Sequence, residues 1–460
     1  MKRQFSCAAA AAPFLLGVMI LVGVAGCGSS SSNAAKTTVV SNTATLTAGS
    51  GPTGGIVNGL YVTVTVCQHG TTTCATINNV QVDTGSIGLR LAQGTLGSVT
   101  LTPILVNNAS PLEQCTQYGD TSYSWGPMEL ADVQIGGETA SNIPVQLLGQ
   151  ISAPASPPSA TNPTAGGVSC LETTPNPNLL GTPPGNEDTV ATLGANGILG
   201  IGGFIFDCGN SCTTVSFTAG YPYYICPNGT CQAVGVPTAD QIVNPVAQFT
   251  GSDNNGVMIT LPSVPSSGAV SVSGTMNFGI ATRTDNALGN AVIYALDPCG
   301  NFPTVNFGGN PYTDTACNNT GTGMGGFLDT GSTALFVSDA NTLKSFGIFD
   351  CASGTAGFGL YCVSGGTATL SGVNLVGFGG VGSATISLNI NDATTLLSPN
   401  NNNAVFNDLG GDSVTGGGGS PSTDSWDLGL PFFLGRTVFV GIAGTAMPAG
   451  VNAPNGFVAF

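Results

Sequence analysis

Two four-residue phrases carry most of the chemistry that this chain can offer. Asp83-Thr84-Gly85-Ser86 lies within VDTGSIGLRL, and Asp329-Thr330-Gly331-Ser332 lies within LDTGSTALFV. Each Asp follows apolar residues, Val80 and Val82 in the first copy and Phe327 and Leu328 in the second, and precedes another apolar stretch. Each carboxyl is therefore expected where a buried strand turns. A carboxylate there is costly unless its oxygens are hydrogen-bonded. The phrase supplies the partners: Gly takes the tight turn and presents its N–H at close range, while Ser and Thr hydroxyls donate or relay hydrogen bonds. Two such carboxyls brought together cannot both ionise cheaply, so they share one proton and titrate as a pair. One then serves as base toward a water attacking a carbonyl, and the other as acid toward the carbonyl oxygen. Two unrelated turns are the alternative, since Asp, Gly, Ser and Thr are common turn residues. Repetition in matching contexts favours the pair.

The two Asp lie 246 residues apart, which suits one per lobe of a two-lobed molecule. A chain of 460 residues is also too long for one compact core. Downstream of Asp83 comes Asn196-Gly197-Ile198-Leu199-Gly200, and downstream of Asp329 comes Pro431-Phe432-Phe433-Leu434-Gly435. The intervals from Asp to the last Gly, 117 and 106 residues, give the halves a shared layout. Alternation of β-branched and polar residues over Leu60 to Val66 and Ala269 to Phe278, with few charged helix formers, predicts a mostly β protein.

The first residues read as an export signal: Lys2 and Arg3, then an apolar run to about Val24. Val24-Ala25-Gly26-Cys27 has the form of a bacterial lipobox, so residues 1–26 are expected to be removed and Cys27 lipidated. An ordinary signal peptide with an incidental Cys is the alternative. Gly28 in place of Asp after that Cys fits an outer-membrane destination in a two-membrane bacterium. Residues 27–55, rich in Ser, Thr, Ala and Gly, are expected to form a flexible tether, with an N-terminal lobe over 56–262 and a C-terminal lobe over 263–460. Without residues 1–26 the chain carries five basic against 23 acidic residues, which argues against nucleic acid as a partner.

Fourteen Cys include Cys7 and Cys27, leaving twelve, as suits an oxidising compartment. Proximity pairs Cys67 with Cys74, Cys208 with Cys212, Cys226 with Cys231, Cys299 with Cys317, Cys351 with Cys362 and Cys115 with Cys170. No metal site is expected, since His69 is the one His and no paired Cys-x-x-Cys motif occurs. His69, alone in the Cys67 to Cys74 loop, leaves Ser and Cys nucleophiles without a plausible base, which argues against a Ser-His-Asp hydrolase. Gly377 to Gly382 and Gly416 to Gly419 read as loops, the Asn run at 400–403 as an exposed loop before Trp426, and Trp426 as a packing residue.

With these motifs in place, the chain resembles the pepsin-like aspartic endopeptidases over about Asn58 to Phe460. That resemblance implies two β lobes with a cleft between them, each lobe giving one Asp-Thr-Gly and a later apolar pair followed by Gly, here Ile198-Leu199-Gly200 and Phe433-Leu434-Gly435. Gln117-Tyr118-Gly119-Asp120-Thr121-Ser122 resembles the flap hairpin of the family, with Tyr118 closing over the substrate and MELADVQIGG as the returning strand. The resemblance implies Asp83 and Asp329 as catalytic groups, Thr84 and Thr330 as a cross-brace, Ser86 and Ser332 as partners of the outer carboxylate oxygens, and Gly85 and Gly331 as points of close approach. It implies no organic cofactor or metal, and an extended peptide or unfolded protein as substrate, bound partly as an added strand. Three departures accompany it. Asn196 stands where many members have Asp, no basic propeptide precedes the first lobe, and Arg90 stands where many carry a Trp that supports the flap. Arg90 either faces the cleft, where its charge favours ionised carboxylates, or is a solvated strand-end residue. Trp125 is a candidate substitute for the flap support. The functional expectation is a lipid-anchored endopeptidase; the alternatives are a catalytically silent envelope protein that binds peptides or partners, and a β-rich adhesin in which the two Asp lie far apart.

Overall fold

A computed structural model describes residues 41–119, 122–149, 186–214, 222–227, 231–317, 320, 323–337, 339–412 and 425–460. Residues 1–26, expected as an export signal, together with Cys27, Asp120, Cys170 and Gly416 to Gly419, lie outside the described residues. The mostly β architecture expected from the alternating Val, Ile and Thr runs is what forms. Among the described residues no helix is long and apolar enough to cross a membrane.

The first half is built on the hairpin of Gly59–Cys67 and Cys74–Asp83, closed at its end by the Cys67–Cys74 disulfide. Its register places Tyr61 opposite Gln81 and Val62 opposite Val80, then shifts by one residue; Asn79, at φ 50°, takes the left-handed conformation that this bulge needs. The shift keeps Val64, Val66 and Ile77 in the core along with Val80 and Val82. Cys74–Asp83 then pairs in parallel with Gly197–Ile201, with Leu199 opposite Val82 and Gly200 opposite Asp83. Ile87–Leu91, which leaves the Asp-Thr-Gly-Ser turn, runs antiparallel on the other side of Gly197–Ile201. Every residue of both strands is buried. A buried strand on each side of the turn fixes where the Asp83 carboxyl emerges.

The second half repeats this arrangement. Gly325–Leu328 enters the second turn and pairs in parallel with Ser425–Leu428, with Leu328 opposite Leu428; Leu335–Val337 leaves the turn and runs antiparallel to the same strand. This corrects the assignment of Phe433-Leu434-Gly435. The counterpart of Ile198-Leu199-Gly200 is Asp427-Leu428-Gly429, because Leu428 occupies the register that Leu199 holds in the first half. Pro431 sits in the first turn of a short helix, Leu430–Phe433, whose aromatic residues go into the core beyond the strand. An Asp at a position that is apolar in the other half conceals the strand from a search for apolar pairs.

Thr43–Gly49, within the segment expected as a tether, is a strand. It pairs with Val272–Phe278 from Thr43 opposite Asn277 to Ala48 opposite Val272, and with the start of Gly59–Cys67. Its Thr-Ala-Thr-Leu-Thr-Ala alternation buries Ala44, Leu46 and Ala48 on one face, a period-2 signal hidden by low-complexity composition. The loop expected after the Asn run also turns inward, since Val405, Phe406 and Leu409 are fully buried and Gly410–Gly411 pairs with Leu335 and Phe336. Gly377 to Gly382 is a loop with one short 3-10 turn, in keeping with its glycines. Trp426 is buried against Phe307 and Tyr312, the packing role expected.

Five of the proximity pairings are present as disulfides: Cys67–Cys74, Cys208–Cys212, Cys226–Cys231, Cys299–Cys317 and Cys351–Cys362. Cys115 is also disulfide-bonded. Its expected partner, Cys170, is outside the described residues.

Arg283 fastens two distant segments. Its Nε donates to Asp253 Oδ2 at 2.7 Å and its guanidinium reaches Glu138 Oε1 at 3.4 Å, while both carboxylates are almost fully buried. Burial pushes the Glu138 carboxyl up, as does Asp253, and Arg283 opposes them. Replacing Arg283 by Met strands two buried acids against each other. The expected loss is about 2 kcal/mol at pH 7, below the value for a fully enclosed pair because the guanidinium is partly open to water. Urea unfolding at pH 7 and pH 4 checks this; the loss shrinks at pH 4, where protonation relieves the repulsion.

Candidate active site

The two Asp-Thr-Gly-Ser turns meet face to face. Thr84 N–H donates to Thr330 Oγ1 at 3.1 Å and Thr330 N–H donates to Thr84 Oγ1 at 3.0 Å. Each hydroxyl in turn donates to a carbonyl of the opposite strand, Thr84 to Leu328 O at 2.9 Å and Thr330 to Val82 O at 2.8 Å. These four bonds form a closed, buried cross-brace with no donor left over. Gln81 Nε2 adds a fifth tie, to Gly331 O at 3.1 Å. Gln81 alternates with the core residues Val80 and Val82, so its side chain leaves the core on the side of the second turn.

Within each turn the carboxyl is held in the same way. Gly85 N–H donates to Asp83 Oδ1 at 2.8 Å and Gly331 N–H to Asp329 Oδ1 at 2.7 Å. Ser86 Oγ donates to Asp83 Oδ2, and Ser332 Oγ lies 2.8 Å from Asp329 Oδ2. The glycines are required by the close approach: a Cβ on Gly85 would stand 2.8 Å from Asp329 Cγ, and one on Gly331 would stand 2.8 Å from Asp83 Oδ1. Asp83 and Asp329 are within hydrogen-bonding reach of each other. Burial first, then the Asp83 charge, then Asp427, hold the Asp329 carboxyl well above the usual carboxylate range. The arrangement is a pair of closely set carboxyls whose inner oxygens are held by backbone N–H groups.

Over this floor stands the hairpin of Ser110–Gln117 and Tyr123–Ile135, with Gln117 opposite Tyr123 and the turn closed by Tyr118 N–H donating to Ser122 O at 2.9 Å. Tyr118 is half-buried, and its hydroxyl is 2.9 Å from Ser124 Oγ. Burial pushes the phenol up to about 12, with Arg90 and the Ser124 hydrogen bond opposing, so it is neutral throughout the acidic and neutral range. Gly119 is exposed at the tip.

Arg90 is not a solvated strand-end residue. It is 2% exposed, with Nε donating to Thr116 Oγ1 at 3.0 Å and Nη1 to Ile87 O at 2.8 Å. It lies under the hairpin, where its charge acts on Tyr118, Tyr223 and Asp207. Asp207 accepts from Tyr223 Oη at 2.8 Å and from Gln114 Nε2 at 2.6 Å. Burial brings its carboxyl up to about 6, against the Arg90 charge. Trp125 is fully buried, with Nε1 donating to Glu113 Oε2 at 2.8 Å and its ring against Tyr224. Just below its tip the hairpin is therefore held by Trp125 through Glu113 and Tyr224, and by Ser124 and Thr116 through Tyr118 and Arg90.

Two other clusters do not form catalytic centres. His69 Nδ1 and Ser141 Oγ each lie 2.8 Å from Asp132 Oδ1, so Ser and His share the acid instead of bonding each other, and the group caps the loop at Asn142. Asp297, Cys299 and Cys317 come together near one point, but both sulfurs are consumed in the Cys299–Cys317 disulfide and offer no thiolate to a metal.

One residue of the floor escaped sequence reasoning. Asp427 Oδ2 lies 2.5 Å from Ser332 Oγ, which makes it a third carboxyl beside the pair. Placing SWDLG, in place of PFFLG, opposite Gly325–Leu328 was the signal that would have found it.

Residues 38–460 match the model of a family described as a protein of unknown function (DUF3443), and the chain belongs to that family. No curated protein matches the sequence. Among solved structures the chain is similar to the aspartic proteinase from Irpex lacteus, at 15% identity and a TM-score of 0.44, with 90% of this chain and 96% of that chain covered.

Proposed function

We propose that the protein is an aspartic-type endopeptidase that hydrolyses peptide bonds with water activated between Asp83 and Asp329. The observation that carries this reading is the mutual hydrogen bonding of the two turns, which sets two similarly held carboxyls against each other. Asp329, pushed up by burial and by its neighbour's charge, holds the proton of the pair. Asp83 takes a proton from the bound water as its oxygen attacks the carbonyl carbon, and the Asp329 proton passes to the carbonyl oxygen. The gem-diol then collapses: Asp83 returns its proton to the amide nitrogen, the C–N bond breaks, and a diol hydroxyl returns a proton to Asp329. The pair ends as it began. Tyr118, neutral and half-buried, closes over the substrate and excludes water from one side. The substrate is an extended peptide or unfolded protein.

The disulfides favour an oxidising compartment, and with the lipobox at Cys27 we place the catalytic part outside the cytoplasm on a lipid anchor. The test is incubation of the folded wild-type protein with an unfolded protein and a peptide library between pH 3 and 8, with products sequenced. Internal cleavage, inhibited by a peptide bearing a secondary alcohol in place of the scissile amide, is the expected result. Absence of cleavage by well-folded protein over that range overturns the reading in favour of a silent binding protein.

A further inference from the structure

The floors of the two halves match until the residue two before the glycine of the third strand. In the first half that residue is Ile198, opposite Gln81; in the second it is Asp427, opposite Phe327. Asp427 is 9% exposed, and its Oδ1 has no hydrogen-bond partner among the described residues. Its Oδ2 is 2.5 Å from Ser332 Oγ, and the same Ser332 oxygen is 2.8 Å from Asp329 Oδ2. A hydroxyl carries one hydrogen and cannot donate to both acids. Both short contacts are satisfied together only if one of the two carboxyls brings its own proton. Ser86 faces no such choice, because its one carboxyl is Asp83 and an Ile occupies the other side.

We propose that Asp427 is a positioning residue that extends the proton-sharing pair to a third carboxyl through Ser332, and so widens the pH range over which Asp329 keeps its proton. This rests on the endopeptidase reading. Neutral Asp427 donates from Oδ2 to Ser332 Oγ, and the Ser332 hydroxyl then donates to Asp329 Oδ2, as Ser86 does to Asp83. Ionised Asp427 captures the Ser332 hydrogen, removes a donor from Asp329 and places a second negative charge near it. Both changes disfavour ionisation of Asp329, so its proton is retained as the pH rises. The polar groups that act on Asp427 are Ser332 and the Asp83 charge, and Asp427 in turn acts on Asp329. Its strand neighbours Phe327 and Phe336 and the following Leu430–Phe433 helix carry no charge; Asp412 follows Gly410–Gly411, one strand farther out. Burial, partly offset by the Ser332 hydrogen bond, brings the Asp427 carboxyl up to about 8, so its ionisation falls on the alkaline side of the expected working range.

The experiment compares wild type with Asp427→Asn, in which Nδ2 donates permanently to Ser332, and with Asp427→Leu, apolar like Ile198. Two profiles are measured from pH 3 to 9: kcat/KM on a cleaved peptide, and the thermal unfolding midpoint. In Asp427→Asn the alkaline limb of kcat/KM is expected to move down by about one pH unit. A carboxyl whose folded pKa is raised contributes stability that is lost as pH rises from its unfolded value toward about 8, so the midpoint of the wild type should decline over that window more steeply than that of either variant. Should Asp427→Asn fail to fold, Asp427→Leu carries both comparisons. Superimposable rate profiles with an unchanged decline overturn the inference. If the wild type cleaves nothing, the endopeptidase reading fails separately and the unfolding profiles decide Asp427: a shallower decline in the variants supports a buried neutral carboxyl, and an unchanged one removes it.

Discussion

Asp329→Asn is expected to make the protein more stable at pH 7, by about 1–2 kcal/mol, while reducing peptide cleavage by at least about 10³-fold. The sign follows from linkage. The folded-state pKa of Asp329 is raised by burial, by Asp83 and by Asp427, so the folded state holds a proton that the unfolded chain has released. Stability is then fully present below the unfolded value near pH 4 and is lost as pH rises toward the folded value. Asn does not titrate, so its gain is absent at pH 3 and grows toward neutral pH. The local bonds survive the exchange: Asn Oδ1 still accepts from Gly331 N–H, and Nδ2 donates to Ser332, whose own hydrogen turns to Asp427. Thermal unfolding of both proteins at pH 3, 5 and 7 checks the prediction. A variant less stable than the wild type at pH 7 means that Asp329 is held as a favourable carboxylate and is not the proton-bearing partner.

The second large effect concerns the cross-brace. Thr84→Val with Thr330→Val preserves shape but deletes the four bonds of the brace, leaving two buried N–H groups without these acceptors and taking one donor from each of two buried carbonyls. Either single substitution is expected to cost about 1–3 kcal/mol. The two substitutions remove different bonds, those of the Thr84 hydroxyl and those of the Thr330 hydroxyl, yet the double should cost less than their sum, because loss of either pair loosens the close approach of the turns that the other pair needs. Cleavage should fall by about 10²-fold even where the protein is folded, since the carboxyls lose their registration. Thr→Ser at both positions keeps the hydroxyls and should restore most of both quantities. Chemical unfolding and kcat/KM for these proteins decide it; strict additivity with activity near wild type contradicts a coupled brace.

The floor is legible in the sequence because its signal is local and doubled. An Asp followed by Gly and Ser after an apolar strand specifies its own hydrogen bonds within four residues, and the structure makes those bonds in both copies. The five short-range disulfides are legible for a similar reason: proximity in sequence limits the choice. What sequence misreads depends on pairing at long range. PFFLG looks like ILG by composition, yet the parallel partner of Gly325–Leu328 is SWDLG, whose Asp is admitted because Ser332 is its hydrogen-bond partner. Thr43–Gly49 looks like a tether because Thr, Ala and Gly are small, and only its partner Val272–Phe278 reveals which face is buried. Arg90 stands undecided between cleft and solvent, since sequence gives no sign that Thr116 and Ile87 O receive a buried guanidinium.

The central claim is that Asp83 and Asp329 act as one unit on water. The most direct measurement is the rate at which wild type, Asp83→Asn and Asp329→Asn cleave the same unfolded protein at pH 4 to 5, each shown folded by its unfolding transition. The account predicts internal cleavage by the wild type and, in either variant, a rate lower by at least about 10³-fold, with the two losses far from additive when combined. Cleavage that persists in a folded Asp83→Asn or Asp329→Asn protein, or a folded wild type that leaves every peptide bond intact, contradicts it.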